Sequence, residues 1–336
     1  MYKTPGRLIA LVLVLGTGYT TLSLGAQQRP AGSSAVASAK ADGVETIQVK
    51  PNFWVIFGGG ANVSVQTGDE GIILVDSGSA AMAEQVLAAV KAISNQPIRY
   101  IINTSADADH VGGNRVLAKA GVSLNPNAFN AGGENAAVLA HENVLLRMSA
   151  PTGQASPFDV DSWPSETFTG KFKSMYLNNE GIQVIREPAA HTDGDSIVFF
   201  RRADVIVTGD IIDLRHFPVI DMAKGGTIQG EIDALNRLLE LAIPAMPLVY
   251  KEPRTYLVPG HGRISDHAEV VEYRDMVTVI RDVVQSMMDK GMTLEQVKAA
   301  NPTQGYRKRY GADSGPWTTD MFVEAIYKGL TPARKS

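Results

Sequence analysis

The stretch Asn103-Thr104-Ser105-Ala106-Asp107-Ala108-Asp109-His110-Val111-Gly112-Gly113-Asn114 directly follows an apolar strand, Ile98 to Asn103, and leads into a helix. A loop at such a junction holds its side chains at the open edge of a sheet, where binding and catalytic residues collect. Three more positions stand at comparable junctions: His191 after Glu187-Pro188-Ala189-Ala190, Asp210 at the end of Val205-Ile206-Val207-Thr208-Gly209, and His261 within Pro259-Gly260-His261-Gly262. Each follows a strand and sits among Gly, Pro or other small residues. If those strand ends share one rim, imidazoles and carboxylates converge there. By contrast, His141 and His267 fall within predicted helices and read as structural histidines, and His216 fits either role.

Outward from this stretch the chain divides in two similar rounds. Apolar runs bounded by Gly or Asn predict strands near 46–49, 53–57, 62–66 and 71–75. A helix follows, with Met82, Val86, Ala89, Val90 and Ile93 on one face and Pro97 closing the segment. The second round has strands near 171–176, 182–186, 196–201 and 204–208, a helix near 230–243, and a strand from Thr255 to Val258. Two sheet-plus-helix halves predict an α/β fold, a four-layer αββα sandwich. Beyond Ser265 a stripe of Tyr273, Met276, Val277, Ile280, Val283, Val284 and Met287 ends at Gly291, and a capping box, Thr293 with Gln296, opens another helix. The expected organisation is residues 1–28 as a signal peptide, 29–45 as a flexible linker, 46–265 as the main domain and 266–336 as a helical extension packed on the core.

The start of the chain carries Lys3 and Arg7, an apolar run from Leu8 to Leu15, and the small-residue exit Ser23-Leu24-Gly25-Ala26, which is the layout of a secretory signal. Thr17, Thr20 and Thr21 interrupt the run before it reaches the roughly 20 apolar residues of a membrane span. The expectation is a periplasmic or secreted protein with no stable membrane insertion after cleavage. A net charge of −4 leaves no electrostatic footprint for nucleic acid, so a small-molecule substrate is the expected partner. Oligomeric state is not readable. The chain has no cysteine, which excludes disulfides and thiolate ligands, so any metal must be held by His and carboxylate.

The order of these motifs resembles the metallo-β-lactamase superfamily over about Thr46 to Ser265. That family's hallmark is H-x-H-x-D-H, then a distant His, a bridging Asp and a last His. Here Asp109 and His110 match the D-H pair, His191 the middle His, Asp210 the bridging Asp and His261 the final His. The turn Val75-Asp76-Ser77-Gly78 and the stretch Gly58-Gly59-Gly60-Ala61-Asn62 are similar to early signatures of the family. The first two histidines of the hallmark are Ser105 and Asp107 in this chain.

The resemblance implies a metal-dependent hydrolase with Asp109, His110, Asp210 and His261 intact at one metal position, and His191, Asp210 and Asp107 at the altered one. Zinc is the first choice of divalent ion, with iron or manganese as alternatives and one or two ions per chain. Asp107 is either a ligand or a hydrogen-bond partner and general base beside a single ion. Asp109 would orient the nucleophile. A metal of this kind makes bound water acidic and polarises the scissile group, which points to an activated hydroxide attacking a small-molecule ester, lactam or lactone, a β-lactam among them. The competing reading is a non-catalytic or weakly active binding protein on the same scaffold. Ser105 lies in no Gly-x-Ser-x-Gly elbow, which argues against a serine hydrolase.

Overall fold

The computed structural model describes residues 38–41, 43–124, 135–150, 154–246 and 255–331. The signal and the first part of the linker lie outside the described residues. Strand pairing begins inside the stretch expected to be linker: β1 (Ser38–Ala41) pairs antiparallel with β2 (Val44–Lys50), with Ala39 opposite Thr46 and Lys40 opposite Glu45. The small residues read there as flexible are also those that an edge strand accepts without packing cost.

The first sheet continues through β3 (Phe53–Phe57), β4 (Val63–Gly68) and β5 (Gly71–Val75) as an antiparallel meander. After α1 (Ala83–Ile93) it turns parallel with β6 (Ile98–Ile102). The short helices α2 (Ala108–Val111) and α3 (Asn114–Lys119) follow. Next come β7 (Ala137–His141), α4 (Glu142–Ser149) and β8 (Glu166–Phe168), and the eight strands lie in sequence order.

The second sheet holds β9 (Phe172–Leu177), β10 (Glu180–Arg186), β11 (Ser196–Phe200) and β12 (Val205–Asp213). Its edge strand beside β12 is β13 (Tyr256–His261), which follows α5 (Ile228–Leu241) and runs parallel to β12. Among the described residues four helices follow β13: α6 (His267–Asp289), α7 (Leu294–Ala299), α8 (Arg307–Tyr310) and α9 (Thr319–Leu330).

Period-2 alternation decides which residues face which layer. Phe53, Val55, Ile73 and Val75 of the first sheet meet Val184, Val198, Phe200 and Val207 of the second in one core between the sheets. Phe53 and Phe200 touch edge to face at 5.0 Å. The alternate residues Ile56, Val65, Ile72 and Leu74 point outward onto Val86, Val90 and Leu117 of α1 and α3. On the far side, Ile197, Ile206 and Leu257 pack against Ile232, Leu235 and Leu238 of α5 and Tyr273, Met276 and Ile280 of α6. The result is the expected αββα sandwich. The Met and Val stripe of α6 is core packing, and Phe322 and Ile326 of α9 share the same cluster.

Two local readings are corrected. His141 does not lie inside a helix; it ends the buried strand β7 and caps α4, its Nδ1 accepting from the Asn143 N–H at 3.2 Å. Its ring also meets Phe168 edge on, so the structural role stands. Asp210 lies within β12 rather than beyond its end, because β12 runs on to Asp213 through a register shift at Gly209. Among the described residues no helix is long and apolar enough to cross a membrane.

Candidate metal centre

The loop after β6 is set by Asp76, at the end of β5, in a left-handed conformation (φ 61°) that Asp tolerates better than most residues. Its buried carboxylate accepts from the Thr104 N–H at 2.8 Å and from the Thr104 hydroxyl at 2.7 Å. It also meets His110 Nδ1 at 2.8 Å. With Nδ1 donating to that carboxylate, Nε2 keeps its lone pair for whatever stands in front of it. The Ser77 backbone and hydroxyl both donate to the His110 carbonyl, which pins the turn into α2. None of these supports of His110 was assigned a role from sequence, although Asp76 sits in a turn already noted there.

The glycine loop between β3 and β4 laces two ligand loops together. Ala61 N–H donates to Asp109 O at 3.0 Å, and Asn62 donates from its backbone to Gly260 O and from its side chain to the Pro259 and Gly262 carbonyls. Gly60 has φ 113°, and a Cβ there would lie 2.7 Å from the Ser79 nitrogen. Gly260 is required by the site itself. A Cβ would fall 2.3 Å from Asp210 Oδ1 and 2.9 Å from the His110 ring.

In front of His110 the predicted residues come together. His110 Nε2 approaches Asp210 Oδ1 at 3.1 Å, and His261 Nε2 lies 3.0 Å from Asp109 Oδ2 and 3.6 Å from Asp210 Oδ1. The His110 and His261 rings cross at 83° with centroids 5.7 Å apart. Asp109, His110 and His261 form one set of donors within 4.8 Å of one another; Asp107, His191 and Asp210 form a second. His110 Nε2 and Asp210 Oδ1 are both buried, and neither makes a hydrogen bond. The two face each other as an ion pair at 3.1 Å without an aligned hydrogen bond, an arrangement that is costly unless something else satisfies both. A divalent cation does so, and imidazole with carboxylate is a donor set that zinc, iron and manganese accept.

The charges agree. Burial alone would lower the His110 pKa, but Asp210 and Asp76 push it well above the ordinary value. Burial opposes charge at His191 as well, yet Asp195, Asp210 and Asp107 raise it to about 10. Asp210 is held well below the usual carboxylate range despite its burial, by His110, His191 and His261. Asp109 is lowered against burial by its contact with His261 and by His110. The pocket carries surplus negative charge that calls for positive charge, as protons on the imidazoles or as a metal ion that displaces them.

The second set is built differently. His191 Nδ1 lies 3.5 Å from Asp195 Oδ1, a looser contact than a hydrogen bond, while Asp195 accepts from the Thr192 N–H and hydroxyl at 2.6 Å each. His191 Nε2 faces Asp107 Oδ2 at 3.4 Å. Asp107 precedes α2 as its N-cap, but its carboxylate caps nothing; Oδ1 receives the Lys224 ammonium at 2.7 Å. Ser105 is buried, and its hydroxyl accepts a long 3.3 Å hydrogen bond from the Asp107 N–H, so it braces the loop.

Both sets open into a cavity of about 280 Å³. Asp107, Asp109, His191, Asp210 and His261 line it together with Arg215, His216 and Val219, and with Ala312, Ser314, Pro316 and Trp317. The C-terminal extension therefore packs on the core and also supplies a wall of the site, which no local motif announced. Arg215 is held by Asp213 through contacts of 2.9 and 3.0 Å, which offsets much of its charge. The Trp317 indole N–H has no hydrogen-bond partner.

This fold and rim define the metallo-β-lactamase fold, and the sequence model of the metallo-beta-lactamase superfamily matches residues 56–123, which include the altered motif. A stereoselective inverting sec-alkylsulfatase, Pisa1 from Pseudomonas sp., is similar over 85% of this chain with 16% identity and a TM-score of 0.60. The match covers 50% of that protein, so this chain spans about half the length of the alkylsulfatase. A metallo-beta-lactamase from Pontibacter korlensis matches 72% of this chain and 99% of its own, with 16% identity and a TM-score of 0.50. The DIM-1 metallo-beta-lactamase, in a structure exposed to ceftazidime, covers 71% and 99%, with 14% identity and a TM-score of 0.51. At these identities the likeness shows the fold. No curated protein sequence matches the chain.

Proposed function

We propose that this chain is an exported metal-dependent hydrolase of a small-molecule ester, lactam or lactone. The observation that carries the reading is the pair of buried, unbonded atoms, His110 Nε2 and Asp210 Oδ1, converging with Asp109 and His261 at the floor of an open cavity. Asp109, His110, Asp210 and His261 would hold a divalent ion, zinc in the first instance. When bound, such an ion supplies Lewis acidity to a water and to the scissile group.

The protein's own residues do the rest. Asp76 and Thr104 fix the orientation of His110 and leave its Nε2 facing the floor. Asp107 presents Oδ2 at the cavity edge, where a carboxylate can accept a proton from an attacking water. Trp317 gives the wall an aromatic face against which an apolar part of a substrate can pack. The volume suits a small molecule rather than a polymer. Sulfate esters join the candidate substrates because one structural neighbour is described as an alkylsulfatase, and β-lactams because two are described as metallo-beta-lactamases. Export is supported by the basic, apolar and small-residue layout of the first 28 residues.

The test is metal content of the purified chain, with hydrolysis of carboxylic ester, lactone, β-lactam and sulfate ester substrates before and after chelation. The expected result is bound metal and a hydrolysis that chelator abolishes and zinc or manganese restores. Bound metal without turnover of any substrate favours the binding-protein reading, and absence of metal overturns the proposal.

A further inference from the structure

We propose that the Lys224 ammonium stands in for a first metal ion, so that the centre holds a single divalent ion on Asp109, His110, Asp210 and His261. This rests on the metallohydrolase reading above.

Lys224 is delivered to its place by a rigid turn. It ends a single 3-10 turn, Met222–Lys224, in which the Asp221 side chain accepts from the Lys224 N–H at 3.0 Å. Gly225 follows in the left-handed region at φ 86°. The Lys224 carbonyl accepts from Asp193 N–H at 2.9 Å and from Arg147 at 2.7 Å. Asp221 N–H donates to the His191 carbonyl at 2.9 Å, and a Cβ on Gly226 would lie 2.1 Å from that same oxygen. The ammonium is thus carried on a turn bonded to the backbone of His191, and it reaches Asp107 at 2.7 Å and Asp221 at 3.1 Å.

The donors left for an ion at this position are weak. His191 Nε2 is the one imidazole nitrogen in the Asp107, His191 and Asp210 set. Asp210 belongs equally to the neighbouring set through its contacts with His110 and His261. Asp107 already shares its charge with the ammonium. A dication there would meet one imidazole and two compromised carboxylates, with a positive charge close behind. An ammonium is a compact point charge with three donors, and its two carboxylates satisfy it well. In this arrangement Lys224 is a positioning residue: it holds Asp107 Oδ1 and leaves Oδ2 toward His191 and the cavity.

The experiment counts ions. The full chain and its Lys224 variants are equilibrated with a small excess of ZnCl2, freed of loose metal and measured by plasma mass spectrometry, with circular dichroism to confirm folding. Wild type and Lys224→Arg should each carry about one zinc. Lys224→Met should rise to about two, and adding Asp107→Ala to it should return the count to about one. Lys224→Gln repeats the test should the Met variant not fold. Two zinc ions in wild type, or one in both neutral variants, overturn this inference alone. No zinc in wild type overturns the metallohydrolase reading as well, so the two failures are distinct.

Discussion

His110 and His191 are both buried imidazoles, each backed by an aspartate that is itself held by a threonine N–H and hydroxyl. At His110 the backing contact is a 2.8 Å hydrogen bond, and the atoms in front of the ring are free to take an ion. At His191 the corresponding contact is 3.5 Å, and the carboxylate in front, Asp107, is engaged by Lys224. The same support behind two rings has produced two different halves. What distinguishes a metal position is the freedom of the facing donors, beyond the orientation of the histidine.

The largest break in this comparison comes from Asp210, which belongs to both halves. Asp210→Ala should reduce metal content to near zero and hydrolysis by about 1000-fold or more, since several kcal/mol of transition-state stabilisation are lost at about 1.4 kcal/mol per tenfold. Metal analysis and rate measurement on one sample check it. Asp76→Asn acts on the His110 half alone. It keeps the shape but weakens the acceptor for Nδ1, and metal affinity should fall about 10–100-fold in a competition titration.

The His191 half is reached through pH. Burial raises Glu187, which leads into the His191 loop, to about 7; Arg237 opposes the shift and Asp195, Asp233 and Glu240 add to it. The folded carboxyl binds its proton more tightly than the unfolded one. Its contribution is therefore fully present below the unfolded value and is lost as pH rises through 7. Glu187→Gln should raise stability at pH 8 by up to about 3 kcal/mol, taking 1.36 kcal/mol per pKa unit, and change little at pH 4. Urea unfolding at the two pH values measures this, and an equal effect at both removes the titration as its cause.

A smaller effect separates the wall from the floor. Trp317→Phe trims the indole that lines the wall and should raise KM up to about tenfold, about 1.4 kcal/mol, while metal content stays constant. Ser105→Ala should do least: a long hydrogen bond to the Asp107 N–H is worth about 1 kcal/mol or less, and the zinc count should not move. A large loss of metal there would make Ser105 a ligand and redraw the His191 half.

The parts of this molecule that are local in sequence were legible in it. Apolar runs bounded by Gly or Asn placed the strands that hold Phe53, Val55, Ile73 and Val75, and helical spacing placed α1, α5 and α6. Asp109, His110, His191, Asp210 and His261 stood out because each sits in or after a strand among small residues, and the fold brings four of them to the lining of one cavity with His110 buried against Asp210. What stayed hidden depends on long-range pairing. Lys224 belongs to no motif, and its partner Asp107 lies more than a hundred residues away in the chain. Thr104 and Asp195 carry no signature beyond being polar, and the turn that contains Asp76, although similar to an early family signature, does not say that its carboxylate backs His110. The linker near Ser38 reads as flexible because an edge strand needs a neighbour, not a pattern, to form.

The wall formed by Ala312, Ser314, Pro316 and Trp317 has a bearing on how the protein is made. Every proposed ligand has been translated by His261, but the last boundary of the cavity is translated after α6, α7 and α8. The nascent chain can gather its ion-binding residues before it has a complete chamber. A product ending ahead of Ala312 would lose this wall together with α9, whose Phe322 and Ile326 belong to the core, so the chamber and the packing beneath it are completed in one step.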